Sequence, residues 1–443
     1  MKRSLMKFFG VFVGFVLTAS TFLVLPPVAP LAGTPAEQQS ESQSPLAIAD
    51  QVLSEMSRTT GLPIKSSLRK MLAGRPAIQK YLTDSLHAEM TPQEWHAQEA
   101  GLRAFGLVSG DFDLEKFLTE FYTEQAAGFY DPHTKTMYIA DWVEPDMQEM
   151  VLAHELTHAL QDQNFGLDKF LHAARDDDDA THARQAIVEG HAMAAMLQQM
   201  LGPVDLATLS SVKPWMARGV DEQLSKYPTF ANAPFFFRLQ ALFPYLQGMD
   251  FIQYGLHQGG WKKLNTLFTD PPSTTKELFE PEIYFEHKLL PKVSLPRPEA
   301  LSGVAGLRLL AENSLGELGY YALLGQLISE DEAQPVATTW LADRYILYEY
   351  AGKPPAEEKY ALVSRTKWSS AEKAQAFFRD YHTILQKKYP GLAPDARPGA
   401  DLFIGGVGPN RVVLIRTDDE VRWAEGIPAG QADGMVKYLN SLQ

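Results

Sequence analysis

Three side chains within five residues, His154, Glu155 and His158, form the pattern in this chain best suited to chemistry. In a helix of about 100° per residue the two histidines lie one turn apart, so both imidazoles can bind one metal ion. Glu155 lies at the edge of the same face, where its carboxylate reaches a water on that ion rather than the ion itself. The spacing therefore predicts zinc ligands at His154 and His158 and a general base at Glu155.

The alternative is a pair of ordinary helix histidines beside a solvated glutamate. The neighbouring residues favour the metal, because they are apolar on both sides of the motif: Met147, Met150, Val151, Leu152, Leu156 and Leu160. Burying two imidazoles and a carboxylate without partners would cost several kcal/mol. A bound cation removes most of that cost.

A catalytic zinc needs a third protein ligand and one open position. The chain has no cysteine, so the ligands must be His, Asp or Glu. The class that places the third histidine just downstream is excluded, because Gln161 and Asn164 occupy the relevant positions. Glu189 is the preferred third ligand. It lies in an apolar helical stretch beside small residues such as Gly190, where a lone carboxylate is unfavourable without a cation.

Several other side chains compete with Glu189. His182 lies two turns upstream on about the same helix face, so we expect it near the ligands rather than among them. His191 projects about 200° away from Glu189 and cannot share its ion. His172 is a further alternative, and residues 176–179 are four aspartates in a predicted loop. Such a run is more often a solvated helix start than a calcium site.

At these residues the chain resembles the gluzincins, zinc peptidases such as thermolysin in which HExxH is completed by a glutamate on a later helix. A closer resemblance is to a family of bacterial exported metallopeptidases, in the segments 124–132, 154–163, 188–190, 259–261 and 343–345. The resemblance implies that His154, His158 and Glu189 bind zinc and that Glu155 is the catalytic acid and base.

The chain also departs from these families. Met193 stands where thermolysin-like enzymes have an aspartate that orients a zinc histidine. His191 and Glu280 replace an acid and a histidine that are frequent in the closer family. The residues that support the metal ligands are therefore not predicted by the resemblance.

Local patterns indicate the elements that position the motif. Residues 127–130 and 136–140 alternate as two strands of a hairpin, followed by a helix over 145–163 and a second helix over 181–201. We expect the strand 136–140 to be a sheet edge on which an extended substrate adds as another strand. The apolar stretch 233–255 predicts core helices beneath the site, with a substrate-cleft lining as the alternative.

The overall prediction is a helix-rich α+β chain. A zincin-like catalytic domain over residues 47–300 places its active-site helix after a β-hairpin. Residues 301–443 form a small C-terminal α+β domain, with helices at 315–328 and 369–389, a closing helix, and strands at 344–350, 361–366, 411–415 and 421–424.

The N-terminus indicates export. Residues 1–36 combine a basic start, an apolar run and small residues, which predicts a signal peptide; an uncleaved membrane anchor is the alternative. Residues 37–46 predict a flexible linker. The net charge of −14 argues against nucleic acid as a partner. We expect a periplasmic or extracellular protein that contacts a membrane only through an uncleaved anchor.

Together these features predict a zinc peptidase that hydrolyses peptide bonds of a peptide or protein substrate. Tyr254, His257 and Arg344 are unranked candidates for a second oxyanion donor. Two alternatives stay open. One is a non-catalytic zinc-stabilised scaffold or binding protein, and the other is a zinc amidase that acts on a cell-wall linkage. The sequence does not predict the oligomeric state.

Overall fold

The computed structural model describes residues 45–224, 227–351, 359–395 and 399–442. The predicted signal peptide, residues 1–36, and most of the predicted linker lie outside these ranges. Within them the chain forms seventeen α-helices and ten β-strands, which confirms a helix-rich α+β protein. No helix in the described ranges has the length and apolar character needed to cross a membrane.

The first part of the chain consists of α1 Pro45–Thr60, β1 Arg69–Ala73, α2 Arg75–Glu89, α3 Pro92–Ala104, α4 Leu114–Gln125, β2 Gly128–Asp131, β3 Thr136–Ala140, α5 Pro145–Phe165, α6 Leu167–His172, α7 Asp178–Leu201, α8 Lys213–Leu224, α9 Pro228–Ala231 and α10 Phe235–Asn265. The second part consists of α11 Thr275–Phe279, α12 Pro281–Phe285, α13 Glu299–Ser302, β4 Leu307–Asn313, α14 Gly316–Leu327, α15 Glu330–Ala337, β5 Trp340–Tyr350, β6 Tyr360–Trp368, α16 Ala371–Lys388, β7 Ala393–Pro394, β8 Leu402–Val407, β9 Asn410–Thr417, β10 Glu420–Pro428 and α17 Ala432–Ser441.

The predicted hairpin is present as β2 and β3, joined by a tight turn. Asp131 closes the turn by accepting hydrogen bonds from the amide of His133 at 2.9 Å and the hydroxyl of Thr134 at 2.5 Å. Lys135 adopts a positive φ of 52°, as such turns require at one position. The hairpin leads directly into α5, the helix of the HExxH motif.

The expectation that residues 136–140 form a sheet edge is wrong. The small sheet has the order β1-β3-β2, so β3 is its central strand. Arg69 to Ala73 pair with it in parallel, from Arg69 opposite Thr136 to Ala73 opposite Ala140. The unpaired edge nearest the motif belongs to β2, since a Cβ built on Gly128 would lie 3.6 Å from Cγ of Glu155.

Helices α5 and α7 begin and end at residues that suit those positions. Pro145 opens α5, and Gly166 ends it with a φ of 71° that favours glycine. Asp177 caps α7 by accepting a hydrogen bond from the amide of Ala180 at 3.2 Å. The aspartate run thus starts a helix, as predicted, but it is not a solvated run, because Asp178 and Asp179 are buried.

The C-terminal part contains one antiparallel sheet in the order β4-β5-β6-β10-β9-β8-β7. Side chains alternate between its two faces: Leu414 and Trp423 share a core with α16, whereas Val413 and Ile415 share one with α17. This sheet domain confirms the predicted C-terminal α+β unit in outline. Its core is continuous with that of the preceding helices, for example where Phe105 meets Tyr345 edge to face at 5.1 Å. A division at residue 300 stays a prediction.

Candidate metal centre

Two helices bring the four predicted site residues together. α5 presents His154, Glu155 and His158, and α7 packs against it and presents Glu189. All four residues are at most 1% exposed. Charged and polar groups in such a position need partners, because water is not available to solvate them.

The donor atoms form a compact triangle. Nε2 of His154 and Nε2 of His158 lie 3.0 Å apart, and Oε2 of Glu189 lies 3.2 Å from the first and 3.4 Å from the second. A tetrahedral ion with ligand bonds of about 2.0–2.1 Å requires donor atoms about 3.3 Å apart. The three residues therefore fit a metal ion, and among the described residues they are the one group of this kind.

The three side chains of the triangle shift one another's pKa values. Burial alone would lower the pKa of His158, but Glu189, together with Glu155 and Gln161, outweighs it and raises that pKa to about 9. Burial would likewise raise the pKa of Glu189, and the two histidines instead bring it down to about 2. Burial lowers the pKa of His154. A single positive charge thus neutralises the carboxylate, and a metal ion would replace the proton on His158.

Glu155 lies beside this triangle without a partner of its own. Neither of its carboxylate oxygens has a hydrogen bond of normal geometry within the described parts of the chain. Burial raises its pKa to about 8, with the charge of His158 and the backbone amide of Tyr130 acting in the opposite direction. A carboxyl group with a pKa near neutrality and a free lone pair is suited to accept and return a proton.

The competing candidates His172, His182 and the aspartate run are not part of the triangle. His172 on α6 pairs with Glu89 at 3.1 Å. His182 is buried on α7, and burial lowers its pKa to about 4 although the backbone of Asp178 acts in the opposite direction. Asp179 accepts hydrogen bonds from the amide and hydroxyl of Thr275, at 2.8 and 2.5 Å. Of the described residues, the aspartate run forms no group with metal-binding spacing.

The three candidate oxyanion donors lie against other residues or in solvent, not at the triangle, within the described part of the chain. Tyr254 packs on Phe285 with ring centroids 5.4 Å apart, and His257 is exposed. Arg344 forms an ion pair with Asp177 at 3.8 Å. Asp177 precedes α7 and lies about 18 Å from Glu189 along the helix axis, at a rise of about 1.5 Å per residue.

Two residues near the triangle were missed at the level of sequence. The ring of Tyr245 on α10 lies 6.3 Å from the ring of His154, centroid to centroid, and is 4% exposed. The side chain of Gln161 lies 2.9 Å from Nδ1 of His158. No sequence signal distinguishes Tyr245, because it lies within the apolar stretch 233–255. Gln161 follows the second histidine by three residues, the helical spacing that could have revealed it.

The arrangement can polarise a carbonyl group and activate water. Two imidazoles and one carboxylate leave a position open on a tetrahedral ion, and Glu155 stands next to them as a proton acceptor. This combination is suited to hydrolysis of an amide bond.

Comparisons with known proteins agree with that chemistry. Residues 111–198 match the model of the Peptidase M78 family, described as an IrrE N-terminal-like domain. Residues 307–435, most of the C-terminal sheet domain, match a domain of unknown function, DUF8575. No curated protein and no solved structure matches the chain. The first match covers all four site residues and supports similarity to a zinc-metallopeptidase-like family.

Proposed function

We propose that this chain is an exported zinc-dependent peptidase of the gluzincin type, with His154, His158 and Glu189 as ligands and Glu155 as the general base. The observation that carries the proposal is the donor triangle, whose sides of 3.0, 3.2 and 3.4 Å match a tetrahedral ion. The match to a metallopeptidase-like family over residues 111–198 supports it.

A zinc ion held there would supply Lewis-acid chemistry to a water molecule and to the scissile carbonyl. Glu155 accepts the proton of the attacking water at its free carboxylate and donates it to the leaving amine. The geometry suits this role, because both carboxylate oxygens of Glu155 lack a hydrogen bond of normal geometry and the residue lies next to the metal ligand His154 on α5. Exclusion of bulk water strengthens each of these electrostatic interactions.

The second oxyanion donor proposed here is Tyr245, in place of Tyr254, His257 and Arg344. Its ring lies beside His154, whereas the other three side chains lie against Phe285, in solvent, or at the far end of α7. If the Tyr245 hydroxyl reaches the carbonyl oxygen of a bound substrate, it stabilises the charge that develops there.

The substrate class follows from the chemistry and the proposed location. We infer a peptide or protein outside the cytoplasm, since residues 1–36 have the sequence of an export signal. Because the four site residues are at most 1% exposed, a substrate reaches them only after the protein opens around the site.

This burial favours a second candidate function, a metal-stabilised scaffold. A closed site with His154, His158 and Glu189 could hold an ion that only joins α5 to α7. Such a protein would bind one zinc ion per chain and hydrolyse nothing.

The test compares the zinc-loaded full chain with Glu155→Gln on casein, a peptide library and peptidoglycan fragments. We expect hydrolysis of proteins or peptides by the wild type, full zinc retention in the variant, and a loss of about 10²–10⁴-fold in kcat. Glu149→Gln makes the same substitution at an exposed position of α5 and serves as the control. Zinc binding without any hydrolysis would favour the scaffold, and cleavage of peptidoglycan fragments alone would favour the amidase. Wild-type activity in Glu155→Gln would exclude the mechanism.

A further inference from the structure

We propose that Gln161 and His191 are positioning residues that hold the imidazole of His158 in the orientation and tautomer required of a metal ligand. They form a chain of hydrogen bonds that begins at His158 and ends at the backbone carbonyl of Thr60. The inference rests on the proposed metal-binding function.

A backbone carbonyl fixes the orientation of the Gln161 amide in the first link, the hydrogen bond between Gln161 and His158. The side-chain nitrogen of Gln161 donates to the carbonyl oxygen of Val188 at 2.9 Å, and a carbonyl oxygen can only accept. The amide oxygen of Gln161 must then be the atom that faces Nδ1 of His158 at 2.9 Å. Nδ1 of His158 therefore carries a proton, which leaves Nε2 as the ring nitrogen that can bind an ion between His154 and Glu189.

The second link continues in the same direction. The side-chain nitrogen of Gln161 also lies 3.2 Å from Nδ1 of His191, which must accept and so leaves the proton of that ring on Nε2. Nε2 of His191 donates to the side-chain oxygen of Asn265 at 3.2 Å. Asn265 in turn donates to the carbonyl oxygen of Thr60 at 2.9 Å.

Every atom in this chain thus has one consistent role. It is anchored in backbone carbonyls at Val188 and at Thr60, the last residue of α1. Gln161 and His191 are both 0% exposed, and Asn265 is half-buried. Buried networks in which every member is satisfied hold one arrangement firmly, because any rotation leaves a group unpaired.

The two histidine ligands differ in this respect. Nδ1 of His154 has no hydrogen-bond partner among the described residues, whereas Nδ1 of His158 bonds to Gln161. Among the described residues, Gln161 is therefore the only side chain that orients a histidine ligand through its Nδ1 atom. Metal-binding histidines usually donate to a carboxylate or a backbone carbonyl. Here a neutral amide takes that role, and His191 holds the amide in place.

The experiment measures Zn²⁺ affinity of the full chain by competition with a chromogenic chelator. Gln161→Met keeps the length of the side chain but removes its hydrogen bonds, and we expect Zn²⁺ to bind about 10–100-fold more weakly. His191→Leu breaks only the second link and should weaken binding less. Because the links act in series, the double variant should match Gln161→Met within about twofold.

Gln253→Met is the matched control. Gln253 is also buried and also bonds backbone carbonyls, those of Leu206, Leu209 and Ser210, but it has no connection to His158. We expect this variant to lower the melting temperature while its Zn²⁺ affinity stays unchanged.

Unchanged Zn²⁺ affinity in Gln161→Met, or losses that multiply in the double variant, would overturn the proposal. A second measurement does not need metal: nitrogen-15 chemical shifts of labelled histidines in the metal-free chain should show His191 protonated at Nε2 alone. Protonation at Nδ1 would also overturn it. If the wild type binds Zn²⁺ but hydrolyses nothing, the peptidase proposal fails while the positioning role stands.

Discussion

Gly190 and Gly248 meet backbone to backbone where α7 packs against α10. A Cβ built on Gly190 would lie 2.3 Å from the carbonyl carbon of Gly248, and one built on Gly248 would lie 2.3 Å from the carbonyl oxygen of Ala186. Neither helix can carry a side chain at this crossing. Because Glu189 precedes Gly190, the close approach helps to fix the depth at which α7 presents its carboxylate.

The first prediction concerns this crossing. Gly190→Ala forces α7 and α10 apart, and we expect the free energy of unfolding to fall by about 1–3 kcal/mol or more. Zn²⁺ affinity should fall as well, because Glu189 moves relative to α5. Urea unfolding and chelator competition measure the two effects. Gly110→Ala is the control, since no atom lies within 4 Å of the added Cβ. Equal stability of the two variants would contradict the prediction.

The second prediction concerns the third ligand. In Glu189→Ala only His154 and His158 can hold the ion, and two neutral ligands in a buried site leave its charge uncompensated. We expect metal analysis after dialysis to find one zinc ion per chain in the wild type and almost none in the variant. Full zinc retention in Glu189→Ala would show that another residue is the third ligand.

The candidate metal-binding residues can be predicted from the sequence, whereas the side chains that support them cannot. His154 and His158 are separated by one helical turn, and Glu189 is a lone carboxylate among small apolar residues. The free-energy cost of burying these groups without a partner is enough to indicate a shared cation. The role of Gln161 depends on a tertiary contact, the carbonyl oxygen of Val188 at 2.9 Å on another helix. In the sequence, Gln161 served only to exclude a histidine ligand.

For the fold as well, the local sequence predicts individual elements but not the pairing of distant segments. The hairpin and helices α5 and α7 follow from local periodicity and capping, and the structure agrees with them within a few residues. Strand β1 was missed because Arg69–Ala73 lies among helices and is a strand only by pairing with β3. That pairing is also why β3 is a central strand and not an edge. Strands β4 and β8 were missed for similar reasons, since their extended conformation depends on non-local pairing.

The third prediction separates two tyrosines on α10. If Tyr245 is the second oxyanion donor, Tyr245→Phe should lower kcat by about 10²–10³-fold, with KM and zinc content little changed. Tyr254→Phe should keep wild-type kcat, because its ring packs on Phe285 instead of His154. Steady-state kinetics on a cleaved peptide measure both. The reverse pattern would identify Tyr254 as the donor.

The fourth prediction concerns the pH dependence of stability at the start of α7. Burial raises the pKa of Asp179 to about 6, although its hydrogen bonds from Thr274 and Thr275 act in the opposite direction. The folded chain therefore binds this proton more tightly than the unfolded chain, whose aspartates titrate near 3.9. The stabilising contribution of the protonated group is complete below that value and is lost as pH rises through about 6.

Asp179→Asn removes this titration and keeps the oxygen that accepts from Thr275. Between pH 4 and pH 7 we expect the free energy of unfolding of the variant to rise relative to wild type by roughly 1–3 kcal/mol. Urea unfolding at the two pH values measures the difference. Asp176→Asn changes the exposed aspartate of the same run and should show no such change. A difference that stays constant with pH, or that has the opposite sign, would mean that Asp179 is ionised throughout and that its hydrogen bonds outweigh its burial.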